Sequence, residues 1–480
     1  MGAVRTIRKR QREAGIALLI AIFILLLIGV VAIALIVSSG TESALAGNYR
    51  SSTSVYYAAL AGLEEARARL NPNDPNSFAP GFLPAPVGVC APAYVLNPLG
   101  GENITPWDPA NAYYDNEFST ELGGVCPGGP PNPSPSTLSI WNKNPLNGLP
   151  FPSPLYKWVR INGVTEQSVN LDVCPYDGLG PSLIYYGVAS PACNPALGLN
   201  DQGAGVQVLE ITALAVLPNG SQKLLQYLTP APLNLNFPAA LTLDGANIQP
   251  NTQFVVPNTD NFWIRGNDQF TVGNCNPGGT AAAVGYTDPS DANIVNAIQS
   301  APPGQDRRGN YTNGAAPIPD VVQVALPANM PDLNSLVQLI TKNADAVLTG
   351  PITQSDSHNV MPPGMSSTNP KTVVVRGDFT INSWHGQGYG LLLVTGVFTY
   401  DPDASWNGIV MVIGTGKIYS HQGGDGQFNG AVFLASTNPA VPPMFDFTPA
   451  SETNGIYYSS CWVQASLPPL KILSFHEISQ

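Results

Sequence analysis

Residues 16–37 read IALLIAIFILLLIGVVAIALIV, a run with neither a charge nor a proline. As a helix rising about 1.5 Å per residue it is long enough to cross a bilayer core of about 30 Å. Arg5, Arg8, Lys9, Arg10 and Arg12 all precede it, so the positive-inside rule keeps that end cytoplasmic and exports the body that follows. A secretory signal is the competing reading. Its apolar core is usually about 7–15 residues and ends at a small-residue cleavage site, whereas this run is longer and is followed by SSGTESALAG, with only a weak A-x-G site.

The helical pattern continues beyond the run. In TESALAGNYRSSTSVYYAALAGLEEARARL, Leu45, Tyr49, Tyr56, Leu60, Leu63 and Leu70 recur at spacings of three, four or seven, as on one apolar helix face. Asn71-Pro72 should end it. A helix over residues 16–70 would reach about 80 Å, partly in lipid and partly in water.

All 47 prolines lie beyond residue 70. With 47 glycines and only 11% charged residues, the remainder cannot be a mostly helical enzyme or a coiled coil. It is not disordered either, because 44% hydrophobic and 9% aromatic residues supply a core. Length suggests about two to four domains. The formal charge of −12 becomes −16 beyond Gly15, because the leader holds five basic residues and one acid. Such an acidic body opposes nucleic-acid binding. Cys90, Cys126, Cys174, Cys193, Cys275 and Cys461 show no C-x-x-C spacing; their even number suits disulfides in an exported body, with connectivity left open.

Residues 71–156, with VCPGGPPNPSPST, read as long loops that Cys90 and Cys126 could pin. Strand signals follow at 156–161, and residues 206–217 and 222–229 form a hairpin about Pro218-Asn219-Gly220. Beyond residue 237, apolar runs start at Thr372, Leu391, Ile409 and Ala431, separated by glycine-containing turns. A near-constant step of about 20 residues suggests stacked rungs of a β-helix or solenoid; a β-sandwich is the alternative. The runs are apolar nearly throughout, which favours burial on both faces. LTLDGANI and FWIRGNDQF could add rungs, and residues 332–348 read as a helix.

At the amino terminus, the basic leader ending in Gly15, the apolar run and the segment after it resemble the N-terminal region of PilX-type minor pilins of type IV pili. The resemblance covers roughly residues 5–70 and rests on Glu42, the A-G-N of Ala46, Gly47 and Asn48, then Arg50, Tyr57 and Glu64. It implies cleavage by a prepilin peptidase between Gly15 and Ile16, often followed by methylation of the new amino terminus. Ile16, Phe23, Gly29 and Val37 would belong to the membrane anchor, with the inner-membrane assembly platform and other pilins as partners. The body would be periplasmic and then extracellular on the pilus of a Gram-negative bacterium. The fifth mature position is Ile20 rather than the Glu of major pilins, which the resemblance associates with tip or priming placement. The C-terminal half is similar to domains attached to PilX-like proteins, in an order ending at Tyr458-Ser459-Ser460-Cys461.

The expected fold is therefore α+β: leader 1–15, transmembrane and pilin helix 16–70, a loop-rich antiparallel pilin-like β head over 71–236, and a solenoid-like domain over 237–480. The expected function is that of a non-enzymatic pilus subunit without cofactor or metal. A filament-presented adhesin for a surface or glycan is the alternative, with Trp384, Tyr389, Trp406 and Asn407 as candidate contacts that could equally be local core. An envelope carbohydrate-active enzyme is the third reading, resting on His385, His421, Asp401, Asp403 and Asp425; those residues sit in Gly-rich turns, where they are common for conformational reasons. Asp401, Asp403, Ser405 and Asn407 alternate as in calcium loops, but Trp406 and Val412 stand where that loop needs Gly and Glu. There is no G-x-x-x-x-G-K-[ST] or G-x-S-x-G motif.

Overall fold

A computed structural model describes residues 4–71, 76–78, 82–122, 125–126, 132–141, 155–187, 198–233, 235, 237–245, 251–257, 261–268, 270, 272, 275, 277–299, 308–326, 330–421, 424–448, 454–468 and 471–478. It has a long amino-terminal helix, Val4–Leu70, and a β-rich body with short helices. Residues 16–50 of the helix are exposed on every side. The last turns instead bury Val55, Ala59, Leu63, Ala66 and Leu70, an i, i+4, i+8, i+11, i+15 stripe.

Leu63 and Leu70 of the expected face belong to this stripe, and Tyr56 and Leu60 pack partly buried beside it. Leu45 and Tyr49, 68% and 77% exposed, lie on the earlier turns, before the helix meets a sheet. A Cβ on Gly62 would stand 2.9 Å from the Tyr156 ring and 3.2 Å from Ala213 Cβ, so this position admits no larger side chain without a shift.

That sheet is built from Tyr156–Gly163, Val206–Val216 and Gln222–Pro230, all antiparallel. The expected hairpin is present, with Val216 opposite Gln222 and Gly220 at φ +84° in its turn. Ala93–Leu96, from the stretch read as loops, adds an antiparallel strand beside Tyr156–Gly163. The Cys90–Cys126 disulfide pins the neighbouring loops.

Between residues 239 and 458 the strands are parallel and fall into two sheets. The chain alternates between them: Ala346–Thr349, Lys371–Arg376, Gln387–Val394, Ser405–Gly414 and Gln427–Ser436 lie in one. Ile352–Gln354, Phe379–Ile381, Phe398–Tyr400, Lys417–Ser420 and Met444–Asp446 lie in the other. The four expected run starts are register partners: Thr372 pairs with Leu391, Leu391 with Ile409, and Ile409 with Ala431. Phe379 and Phe398 stack between the sheets at 5.6 Å. The other face of the longer strands is also buried, against Phe237, Leu336, Ile340 and Val463. This burial on both faces accounts for the uninterrupted apolar runs.

LTLDGANI and FWIRGNDQF both supply strands to this sheet: Ala239–Asp244 pairs with Gln427–Ser436, and Phe262–Arg265 with Asn454–Tyr458. Two expectations change. The helix over 332–348 stops at Lys342, and Ala346–Thr349 becomes a strand held by Lys371–Arg376. The helix begins at an Asp332 cap that accepts from Asn334 and Ser335. In addition, Ser474–Ile478 returns to pair with Gln222–Pro230 of the antiparallel sheet, so the carboxyl terminus belongs to the first sheet rather than to the second unit. Leu339 meanwhile packs with Val164, Ile184 and Val208 and joins the two bodies through a shared apolar cluster.

Candidate functional site

The anchor is the first candidate. Ile16, Phe23, Gly29 and Val37 lie in the exposed half of the helix, which is long and apolar enough to cross a membrane as a single-pass anchor or to act as a signal sequence. Gly15 has helical backbone. Glu42, Ala46, Gly47, Asn48, Arg50 and Tyr57 are exposed on the same helix. Glu64 alone of that motif engages the sheet: it accepts from Arg67 Nε at 2.9 Å and from the Tyr227 hydroxyl at 3.1 Å. Burial and the Glu64 charge push the Tyr227 phenol up to about 12.

The cysteines are structural. Cys275–Cys461 links residues 186 apart. Cys174 is also disulfide-bonded, and Cys193 lies outside the described residues.

No family model, no curated protein and no solved structure matches the chain. Its chemistry is therefore read from its own side chains.

The turns before the longer strands bring together part of the expected His–Asp group. His385 Nδ1 lies 2.6 Å from Asp356 Oδ2, and its backbone N–H donates to Asp356 Oδ1 at 3.0 Å. Its Nε2 stands 4.0 Å from Asp403. The Asp356 hydrogen bond holds the imidazole above its ordinary pKa and the carboxyl below its own. Asp356 escaped the sequence reading because it lies 29 residues upstream, in the adjacent turn of the stack. Asp401 is buried and organises the turn by accepting from the Ser383 and Asp403 backbones. The His385 side chain is 69% exposed, which leaves general acid-base chemistry without the water exclusion that tunes such groups. His421 is exposed, and its backbone N–H donates to Tyr400.

Two of the expected ligand contacts point inward. Trp406 is buried and donates Nε1–H to the Gly390 carbonyl; its ring occupies the space a Cβ on Gly388 would need. Trp384 is also buried in the core between the sheets. Tyr389 and Asn407 instead lie on the opposite face of their strands, by the alternation of side chains.

The densest charge cluster went unnoticed in the sequence. Arg160, fully buried on Tyr156–Gly163, contacts Asp115 at 2.8 Å, Glu117 at 2.6 Å and Glu210 at 2.7 Å. Its Nε donates to Asn162, and Tyr94 donates to Asp115. Burial pushes the Asp115 and Glu210 carboxyls up even against the guanidinium beside them. The three acids in turn outweigh burial and hold Arg160 well above its ordinary value. Arg160 follows the apolar Trp158 and Val159 in a strand that also carries Lys157 and Asn162, so nothing local marks it as the centre of a cluster.

For a metal, Glu166, Asp172 and Asp177 offer oxygens within 4.8 Å of one another. Glu166 already accepts from the Val173 and Gly180 backbones, and three ligands fall short of the six to eight that Ca²⁺ takes.

Proposed function

We propose that the chain is a non-enzymatic, membrane-anchored subunit of a type IV pilus or related filament, of the PilX-type minor pilin kind. One observation carries the reading: a single unbroken helix leaves residues 16–50 exposed and seats its last turns on an antiparallel sheet. The exposed part is apolar where lipid or neighbouring helices would cover it, with Gly29, Ala32 and Ala34 allowing close helix approach. Prepilin peptidase cuts after Gly15, and the inner-membrane assembly platform moves the helix from lipid into a bundle with other pilins. The absence of an acid at Ile20 fits a tip or priming position.

We read the parallel body as a β-solenoid rather than a sandwich. Its support is the alternation of consecutive strands between two sheets whose pairings are parallel throughout, whereas sandwiches are built of antiparallel sheets.

N-terminal sequencing tests the processing step, with Ile16 as the expected first residue. Gly15→Val should leave a precursor that an immunoblot resolves as larger by about the leader. Unchanged mobility of the unaltered chain in a prepilin-peptidase knockout refutes the proposal.

A further inference from the structure

On the longer strands of the parallel body, the side chains opposite the inter-sheet core emerge from under the covering helices at the strand beginnings. Register aligns them across successive strands: Tyr389 with Asn407, Asn407 with Asn429, Asn429 with Tyr457, and Tyr457 with Arg265. With about 4.8 Å between neighbouring strands, the column runs about 19 Å. A second column, two residues earlier, holds Gln387 beside Ser405 and Gln427 beside Gly455. Apart from the buried Asn407, the polar and aromatic members are half-buried or exposed.

The chemistry of this shelf is uniform. Asn429 Nδ2 donates to Asn407 Oδ1 at 3.0 Å, while Asn429 Oδ1, buried beneath the column, has no hydrogen-bond partner among the described residues. Asn407 Nδ2 reaches back toward Gln387 and the Gly388 carbonyl. Tyr389 lies at 5.6 Å from Trp462 at one end. At the other, the Arg265 guanidinium lies 4.3 Å over Trp263, its positive charge spread against the ring. Amides that both donate and accept, set between flat aromatic faces and with a single charge, complement a ligand rich in hydroxyls that carries apolar C–H faces. A polyanion would meet a body of net −16, and a basic partner would find no carboxylate in either column.

We propose that this shelf binds a linear, uncharged polysaccharide lying across the strands. It deepens the filament reading by giving the exported body a ligand, but binding is measurable in vitro whatever becomes of the leader. A failure here therefore leaves the processing proposal standing.

The test uses the full chain in a detergent without a sugar head group, titrated calorimetrically with maltohexaose, cellohexaose and chitohexaose, and with polygalacturonate as the anionic control. Saturable binding of at least one neutral hexasaccharide is expected, weakened tenfold or more by Tyr457→Ala and several-fold by Gln387→Ala. Gln387 is exposed, so its variant keeps the fold and the result interpretable; His421→Ala, outside the shelf, should bind as the unaltered chain does. Binding to none of the three neutral probes, preference for the polyanion, or affinity unchanged in both shelf variants would overturn the proposal.

Discussion

Replacing Arg160 by leucine tests the most heavily charged part of the interior. The side chain is fully buried, and three carboxylates lie within 2.8 Å of its guanidinium nitrogens. Removing one partner of a buried ion pair typically costs about 3–5 kcal/mol, because the opposite charge is left uncompensated. Here the substitution strands three acids, so at pH 8 the loss should reach the upper part of that range. Protonation offers the cluster an escape. Asp115 and Glu210 already have carboxyl pKa values raised by burial, and without the cation they rise further. A carboxyl whose folded pKa is raised holds its proton more tightly folded than unfolded. Its contribution is therefore fully present below the ordinary carboxyl range of about 4 and is lost as pH rises through the folded value. Arg160→Leu should accordingly lose much less stability at pH 5 than at pH 8, and Glu210→Gln in the same background should recover part of the loss at pH 8. Urea unfolding at both pH values provides the measurement, with Trp158, buried beside Tyr94, reporting the antiparallel sheet. An equal loss at both pH values would refute the electrostatic reasoning and leave only a packing defect.

The same urea assay separates two glycine substitutions. Gly62→Ala gains about 0.5–1 kcal/mol of helix preference but loses about 1–3 kcal/mol to overpacking against Tyr156, so it should destabilise. Gly47→Ala, with nothing within 4 Å of its Cβ, should be neutral or stabilising. The raised His385 pKa predicts an imidazole contribution that is fully present below about 6.5 and lost as pH rises through the folded value. Asp356→Asn should move the His385 NMR titration downward, and an unmoved midpoint would contradict the contact. Cys461→Ser opens a covalent link across 186 residues and should cost about 2–5 kcal/mol, read as a lower thermal midpoint.

Legibility in the sequence followed the range of the interaction. The hairpin about Asn219-Gly220 and the run starts at 372, 391, 409 and 431 could be read because turn chemistry and apolar runs are local. The register partners of those starts then turned out to be one another. Residues 343–348 could not be read correctly, since it is pairing of Val347 with Val374 that overrides the helical pattern. Ser474–Ile478 is a short, largely exposed strand, so no apolar alternation announces it. Asp356 and His385 meet only because consecutive turns stack, a neighbour relation invisible along the chain. For Trp406 the sequence leaves surface contact and local core equally open. It lies in the core because Gly388 on the adjacent strand leaves room for the indole.

The long helix joins two uses of apolar side chains, exposed along its first part and buried on a sheet along its last turns. Over residues 16–37 it displays large branched residues on every side, which suits a solvent or partner that rewards apolar area. Over its last turns it buries Val55, Leu63 and Leu70 together with the small Ala59, Gly62 and Ala66, which let its backbone approach the sheet closely. Periodicity weighted by hydrophobicity selects Leu63 and Leu70, which the sheet buries, together with Leu45 and Tyr49, which lie on turns the sheet does not reach. Under the proposed function this division has a mechanical meaning: the exposed apolar turns exchange lipid for neighbouring helices, and the buried stripe holds the body to the helix while that exchange occurs. Glu64, hydrogen-bonded to Tyr227, lies within the docked turns, and alone of its motif it contacts the sheet.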